Sequence, residues 1–174
     1  RKVNILAREV APKLGYKKPI VVSHHMLLGL NKPSNTEAKG VERAIELKMS
    51  KSNPDSAIFM GDTEQDIIRK IKKAYCPEKE VNENPILEYC KYILFEKFDN
   101  LQVNRPEKFG GNVKFSSYQE LEKAYTSGKL HPADLKNMVA QYLNEILIPI
   151  REYFLKNKKA KKLKELVESY QVTR

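Results

Sequence analysis

The sequence predicts a mainly α fold, with the tail of an α/β unit over residues 1–60 followed by an all-helical domain over residues 61–174. Two observations carry this. A single β-branched run, Ile20-Val21-Val22, follows a helical pattern near the start, and every apolar pattern beyond residue 60 has helical period and its own start signal.

Val3, Leu6, Ala7 and Val10 recur at helical spacing until Pro12 and Gly15 stop them, and Ile20-Val21-Val22 then reads as a short strand bounded by Pro19. From His24 to Pro54 no periodicity holds, and Gly29, Pro33, Asn35 and Gly40 mark a long irregular stretch. Loops of that length within a domain are usually functional or mobile. Next, Asp62 and Gln65 have capping-box spacing ahead of Ile67, Ile68, Ile71 and Tyr75. Asn84-Pro85 supplies an N-cap with proline at the first helical position, and Ile86, Leu87, Tyr89, Cys90, Ile93 and Leu94 follow. Ser117 and Glu120 open a short helix that Gly128 ends, and His131-Pro132 opens the longest one, which carries Leu135, Met138, Val139, Tyr142, Leu143, Ile146 and Leu147, with Pro149 expected to kink it. A lysine-rich amphipathic helix with Leu163, Leu166 and Val167 closes the chain.

Among 174 residues, 32 are Lys or Arg against 22 Asp or Glu, a net charge of +10. Residues 151–174 contribute half of that excess. A polyanion is therefore the expected partner, with solubility or heat adaptation as the alternative reading of a lysine-rich surface. Cys76 and Cys90 lie in no array of metal-ligand spacing and read as reduced core thiols of a cytoplasmic protein. No apolar run is long enough to span a bilayer, so no membrane partner is expected. The chain opens without an initiator Met, inside an amphipathic pattern, and so reads as cut from something longer.

One short stretch carries chemistry. In Lys48-Met49-Ser50-Lys51-Ser52-Asn53-Pro54, "KMSKSNP", two ammonium groups three residues apart sit in a flexible turn with hydroxyls beside them. Lys48 and Lys51 can neutralise charge building on a leaving pyrophosphate, and Ser50 and Ser52, or their amides, can add hydrogen bonds. The alternative is a solvated Lys/Ser turn.

"KMSKS" resembles the second signature of class I aminoacyl-tRNA synthetases. Its surroundings are similar to tyrosyl-tRNA synthetases of archaeal and eukaryotic type along nearly the whole chain: "RKVNILAREVAPKLGY" at the start, "KIKKAYCPEKEVNENPILEYCKY" at 70–92, "RPEKFGGN" at 105–112 and "HPADLKN" at 131–137. Many relatives carry serine where Lys51 stands, so the fuller form of the signature is present here. The resemblance implies a C-terminal part only: residues 1–60 would end a Rossmann-type catalytic domain with its KMSKS loop, and residues 61–174 would bind the anticodon. The first signature, the tyrosine pocket and most of a homodimer interface would lie upstream, leaving this part inactive alone. It further implies ATP as substrate with Mg2+, no tightly bound cofactor, and tRNA(Tyr) and tyrosine as the other partners. Lys48 and Lys51 would be catalytic. Met26, Leu27, Met49, Ser50 and Ser52 would join them around ATP, since His24-His25-Met26-Leu27 matches the place where relatives border the adenine. A metal site at the histidine pair lacks a third ligand nearby in sequence.

For RNA, Phe109 beside Gly110-Gly111 suits a stacking platform, and His131 and Asp134 straddle a helix start where a carboxylate can accept from guanine N1 and N2. In the family, residues matching Phe109, His131 and Asp134 hold the first anticodon base, a guanine, and the position of Cys76 lies near the second. Arg1 and Lys2 would lie near the first acceptor-stem pair. Each has a plain alternative: Phe109 in the core, Asp134 as a first-turn acid, His131 as a cap, Cys76 buried, and Lys108 and Lys136 solvated rather than on phosphate. The rival functions are a tryptophanyl-tRNA synthetase fragment, a non-catalytic tRNA-binding module and a structural helical protein.

Overall fold

In the computed structural model, residues 2–35, 37–50 and 52–170 are described. The first helix, α1 (Lys2–Lys13), has no buried residue and closes at Gly15, whose φ of 79° lets the Tyr16 N–H reach back to the Ala11 carbonyl at 2.9 Å. The expected strand is absent: residues 20–22 form no ladder, and Ile20 and Val22 are 90% and 85% exposed. A β-branched run becomes a strand only where another strand takes its backbone hydrogen bonds, and among the described residues none lies beside it.

The stretch expected to be irregular contains a helix, α2 (Gly40–Glu46), without a side-chain cap at Lys39. Tertiary contacts hold it. The Arg43 guanidinium donates to the Asn35 carbonyl at 2.7 Å and pairs with both carboxylate oxygens of Glu83, and this pairing holds the Glu83 carboxyl below its usual range. A 3-10 turn, Pro54–Ser56, leads to α3 (Glu64–Lys73). Its capping box falls one residue later than the sequence suggests. Thr63 accepts from the Asp66 N–H at 3.1 Å and Asp66 answers the Thr63 N–H at 3.3 Å, because Asp62 is diverted into a buried ion pair with Lys70 at 2.6 Å.

Asn84 caps α4 (Pro85–Tyr89) as expected, its Oδ1 accepting from the Ile86 and Leu87 N–H groups at 3.1 and 3.3 Å. The helix widens into a π-helical turn, Cys90–Leu94, and ends as α5 (Phe95–Lys97). The region beyond residue 60 is not all-helical: β1 (Leu101–Val103) pairs antiparallel with β2 (Val113–Phe115), in the register Leu101 to Phe115. Three-residue strands are too short to show a period-2 pattern, and burial of Leu101, Val103 and Phe115 against the helices stabilises them.

Ser117 caps α6 (Tyr118–Thr126), and His131 caps α7 (Pro132–Lys156), which continues through Pro149. Helix α7 is the spine. Its Leu135, Met138, Val139, Leu143 and Leu147 are buried against α3, α4 and β1, together with Ile67, Ile71, Ile86, Leu87 and Leu101. Ile68, read as part of that apolar face, points outward instead. The last helix, α8 (Lys158–Ser169), has no buried residue, and Leu163, Leu166 and Val167 stay exposed. Among the described residues no helix is long and apolar enough to cross a membrane.

Candidate functional site

The lysine–serine loop stands on a framed base. Leu28 forms an antiparallel bridge with Lys48, the Gly29 N–H reaches the Leu47 carbonyl at 2.6 Å, and the Leu30 N–H reaches Ser56 at 2.9 Å. The approach is close enough that a Cβ at Gly29 would meet Leu47 and Lys48 backbone at 3.3 Å, so any larger residue would push the strands apart. At the other foot, the buried Ser56 hydroxyl accepts from the Ser50 N–H at 2.9 Å and donates to the Asn53 carbonyl at 2.7 Å. Asp55 takes the Arg69 guanidinium at 2.7 Å, which holds its carboxyl below the usual range and ties the loop to α3.

Between these feet Lys48, Ser50 and Ser52 are exposed, with the Ser50 and Ser52 hydroxyls 2.7 Å apart, while half-buried Met49 packs against the core as an anchor. Lys51 and Arg1 lie outside the described residues. Lys2 is exposed on α1. Met26 is 56% exposed and Leu27 packs on the core, directly before the Leu28 bridge, so these two and the loop share one locality.

The second group gathers at the start of α7. Phe109 is 59% exposed on a 3-10 turn, Glu107–Phe109, with the Lys108 ammonium 5.0 Å from its ring centroid. The core alternative for Phe109 therefore does not hold. The turn closes through Gly110 and Gly111, at φ of 96° and 68°, a region that side chains disfavour. Arg105 clamps it: Nε donates to the Gly111 carbonyl and Nη1 to the Lys129 carbonyl, both at 2.8 Å. Because Lys129 lies two residues before the His131 cap, this one guanidinium fixes the Phe109 turn to the start of α7.

There His131 Nδ1 accepts from the Ala133 N–H at 3.1 Å, and Asp134 sits half-buried on the first turn. One turn on, Lys136 donates to the Lys72 carbonyl of α3 at 3.0 Å. His131 and Lys136 line a groove between α3 and α7 of about 740 Å³, which also takes in Ile68, Asn137, Gln141 and Asn144. Cys76 is half-buried, its sulfur 3.2 Å from the Tyr125 hydroxyl and 3.7 Å from Asn84 Nδ2. Tyr125 in turn donates to the Pro77 carbonyl at 2.7 Å. Reading the sequence alone missed Ser56 and Arg105, since neither has a local signal; their partners are backbone groups that only folding brings near.

Burial pushes the Cys76 thiol up, and the fully buried Cys90 thiol further. Less thiolate then exists at a given pH. A thiol reagent at pH 8 is expected to label Cys76 more slowly than a free thiol and Cys90 only on unfolding; fast labelling of Cys90 in native protein would contradict the packing around α4.

The chain belongs to the class I tRNA synthetases: the model described as "tRNA synthetases class I (W and Y)" matches residues 1–148. Curated relatives of the chain include tyrosine–tRNA ligases. The whole chain is 46% identical to 49% of that from Thermococcus sibiricus, 48% identical to 49% of that from Aeropyrum pernix, and 48% identical to 42% of the cytoplasmic ligase 1 of Arabidopsis thaliana. The chain thus spans about half the length of the curated relatives it matches. Among solved structures, tyrosyl-tRNA synthetase from Pyrococcus horikoshii, complexed with L-tyrosine, overlays 94% of this chain on 48% of its own, with a TM-score of 0.78 and 43% identity. Tryptophanyl-tRNA synthetase from Giardia lamblia shares the fold at a TM-score of 0.52 and 23% identity, covering 83% of this chain and 30% of its own.

Proposed function

We propose that this chain is the C-terminal part of a tyrosine–tRNA ligase, which joins tyrosine to tRNA(Tyr) through a tyrosyl-adenylate made from ATP. The observation that carries the reading is identity of 42–48% along the whole chain to tyrosine–tRNA ligases, against 23% to a tryptophanyl neighbour. On this reading residues 1–60 close a Rossmann-type catalytic domain and residues 61–174 bind the anticodon. The tyrosine pocket and the homodimer contacts belong to the other half of the ligase, and the protein works in the cytoplasm.

Chemically, Lys48 and Lys51 face the phosphates of ATP, which brings Mg2+ with it as part of the substrate. As the bond to the pyrophosphate breaks, negative charge grows on the leaving oxygens, and ammonium groups already in place stabilise it more than they stabilise the ground state. Ser50, Ser52 and the Met49 backbone complete the loop, and Met26 and Leu27 border the nucleotide. Rigid feet with an exposed tip suit a loop that closes on ATP and reopens.

At the other group, Phe109 stacks on the first anticodon base and Asp134 accepts from its guanine edge, with His131 shaping the helix start. Lys108 and Lys136 contribute phosphate contacts, and Arg1 and Lys2 lie near the acceptor stem. We assign the position of Cys76, rather than its sulfur, to the vicinity of the second base, since Sγ already faces Tyr125 and Asn84.

The test is binding to two tyrosine anticodon stem-loops, one natural and one with the first anticodon guanine replaced, at a single moderate salt concentration. The change is expected to cost about 1–3 kcal/mol, and Asp134→Ala to abolish the difference. Equal binding by the unaltered chain would reduce its interaction with RNA to backbone charge and withdraw the base-reading roles.

A further inference from the structure

Glu88 lies far from both groups in sequence, yet its carboxylate grips the segment that carries the lysine loop. Its Oε1 meets His25 Nε2 at 3.0 Å, and its Oε2 accepts from the Leu28 N–H at 2.8 Å. Leu28 is the bridge partner of Lys48, and the Gly29 N–H beside it reaches the Leu47 carbonyl, so Glu88 grips the segment that pairs with the proposed catalytic lysine. A second contact acts on the same segment. The His25 ring stacks on Tyr92, with centroids 4.0 Å apart and planes 17° from parallel.

Both grips come from one rigid place. Glu88 sits on α4, among buried Ile86, Leu87, Tyr89 and Cys90, and Tyr92 sits on the π-helical turn that follows. A π turn inserts an extra residue and rotates the side chains after it relative to those before, and such turns concentrate at functional sites. Here Glu88 and Tyr92 are four residues apart and meet the same histidine.

We propose that Glu88 is a positioning residue for adenylate formation: anchored in the helical body, it sets the register of His25–Leu28 and thereby the placement of Lys48 against ATP. The proposal rests on the ligase reading above. Its chemistry is a two-pronged acceptor, since a carboxylate can take the Leu28 N–H and the His25 ring at once, and an alanine can take neither.

The experiment is ATP–pyrophosphate exchange by the complete ligase, with ATP and tyrosine titrated separately, for Glu88→Ala, Glu88→Gln, His25→Phe and Lys48→Ala. Glu88→Ala, which removes both carboxylate contacts, is expected to reduce kcat/KM for ATP at least about tenfold, the scale of losing a hydrogen bond to a charged group, with KM for tyrosine and stem-loop affinity unchanged. Glu88→Gln, which keeps an acceptor for Leu28 and offers an amide to His25, should restore most of the rate. His25→Phe keeps the stack on Tyr92 but loses the carboxylate contact, and should fall between them; it also serves if Glu88→Ala fails to fold. Unchanged ATP kinetics in Glu88→Ala or His25→Phe, with Lys48→Ala impaired, would overturn the positioning role. A proportional loss for tyrosine and RNA binding would also overturn it, as the mark of general destabilisation. Unimpaired exchange in Lys48→Ala would remove the catalytic role of that lysine, whereas absence of tyrosine-dependent exchange in the unaltered complete protein would overturn the ligase reading itself.

Discussion

Lys70→Ala is expected to lower the unfolding free energy by about 3–5 kcal/mol, the usual cost of removing one partner from a buried ion pair. Lys70 is 3% exposed on α3. Its ammonium donates to Asp62 at 2.6 Å and to the Ala57 carbonyl at 3.0 Å, and lies 4.6 Å from the centroid of the Phe59 ring. Asp62 also accepts the Phe59 N–H at 2.9 Å, and its carbonyl takes Arg151 of α7 at 3.1 Å. Without the ammonium, a largely buried carboxylate loses its counter-charge, the Ala57 carbonyl loses its donor, and residues 57–62 loosen from α3. Lys70→Met keeps most of the volume, so it separates charge from packing, and the double variant Lys70→Met/Asp62→Asn should recover part of the loss because no unpaired charge remains. Denaturant midpoints at constant m-value check this. A Lys70→Met midpoint equal to that of the unaltered chain would show that the pair contributes nothing net.

On the proposed function, Lys48→Ala in the complete ligase is expected to slow adenylate formation about 10²–10³-fold, the range seen when one preorganised charge-stabilising donor is removed from an active site. The argument is geometric as well as electrostatic. The backbone of Lys48 is held by the Leu28 bridge while its side chain is exposed, so truncation removes the ammonium and leaves the framework of Gly29, Ser56 and Asp55 intact. Folding stability and anticodon stem-loop binding should therefore stay as they were. Lys48→Arg keeps the charge on a broader, planar head and should retain part of the rate. Single-turnover measurement of adenylate separates the chemical step from product release, and a normal rate in Lys48→Ala would remove the catalytic role of that lysine.

These two lysines differ in how visible they were. Lys48 belongs to a short motif whose residue types state their chemistry without any fold. Lys70 reads in the sequence as one more solvated lysine on a helix, and nothing local announces that Asp62, eight residues back, is drawn under it. The same contrast runs through the chain. Asn84-Pro85, Ser117 and His131-Pro132 mark helix starts correctly because capping acts within three residues. Residues 20–22 mislead because strand character depends on a neighbouring strand. Helix α2, the β1–β2 pair and the π-helical turn went unread because contacts from distant residues, such as Glu83 on Arg43, decide them.

Within the candidate site, the exposed Lys48, Ser50, Ser52 and Phe109 could be named in advance, since the roles proposed for them follow from residue type and short motifs. Ser56, Arg105 and Glu88 could not, since their work is toward backbone groups of this chain. By itself the sequence determined the helical character of most of the chain beyond residue 60, the basic charge, and which residue types stand in the Lys48 loop and at the α7 start, all properties of residue type and short spacing. Only the tertiary structure decided what holds those groups in place. A hydroxyl, guanidinium or carboxylate turned toward its own chain takes its role from whichever unpaired N–H or C=O the fold brings within hydrogen-bonding distance, and that depends on the whole chain at once.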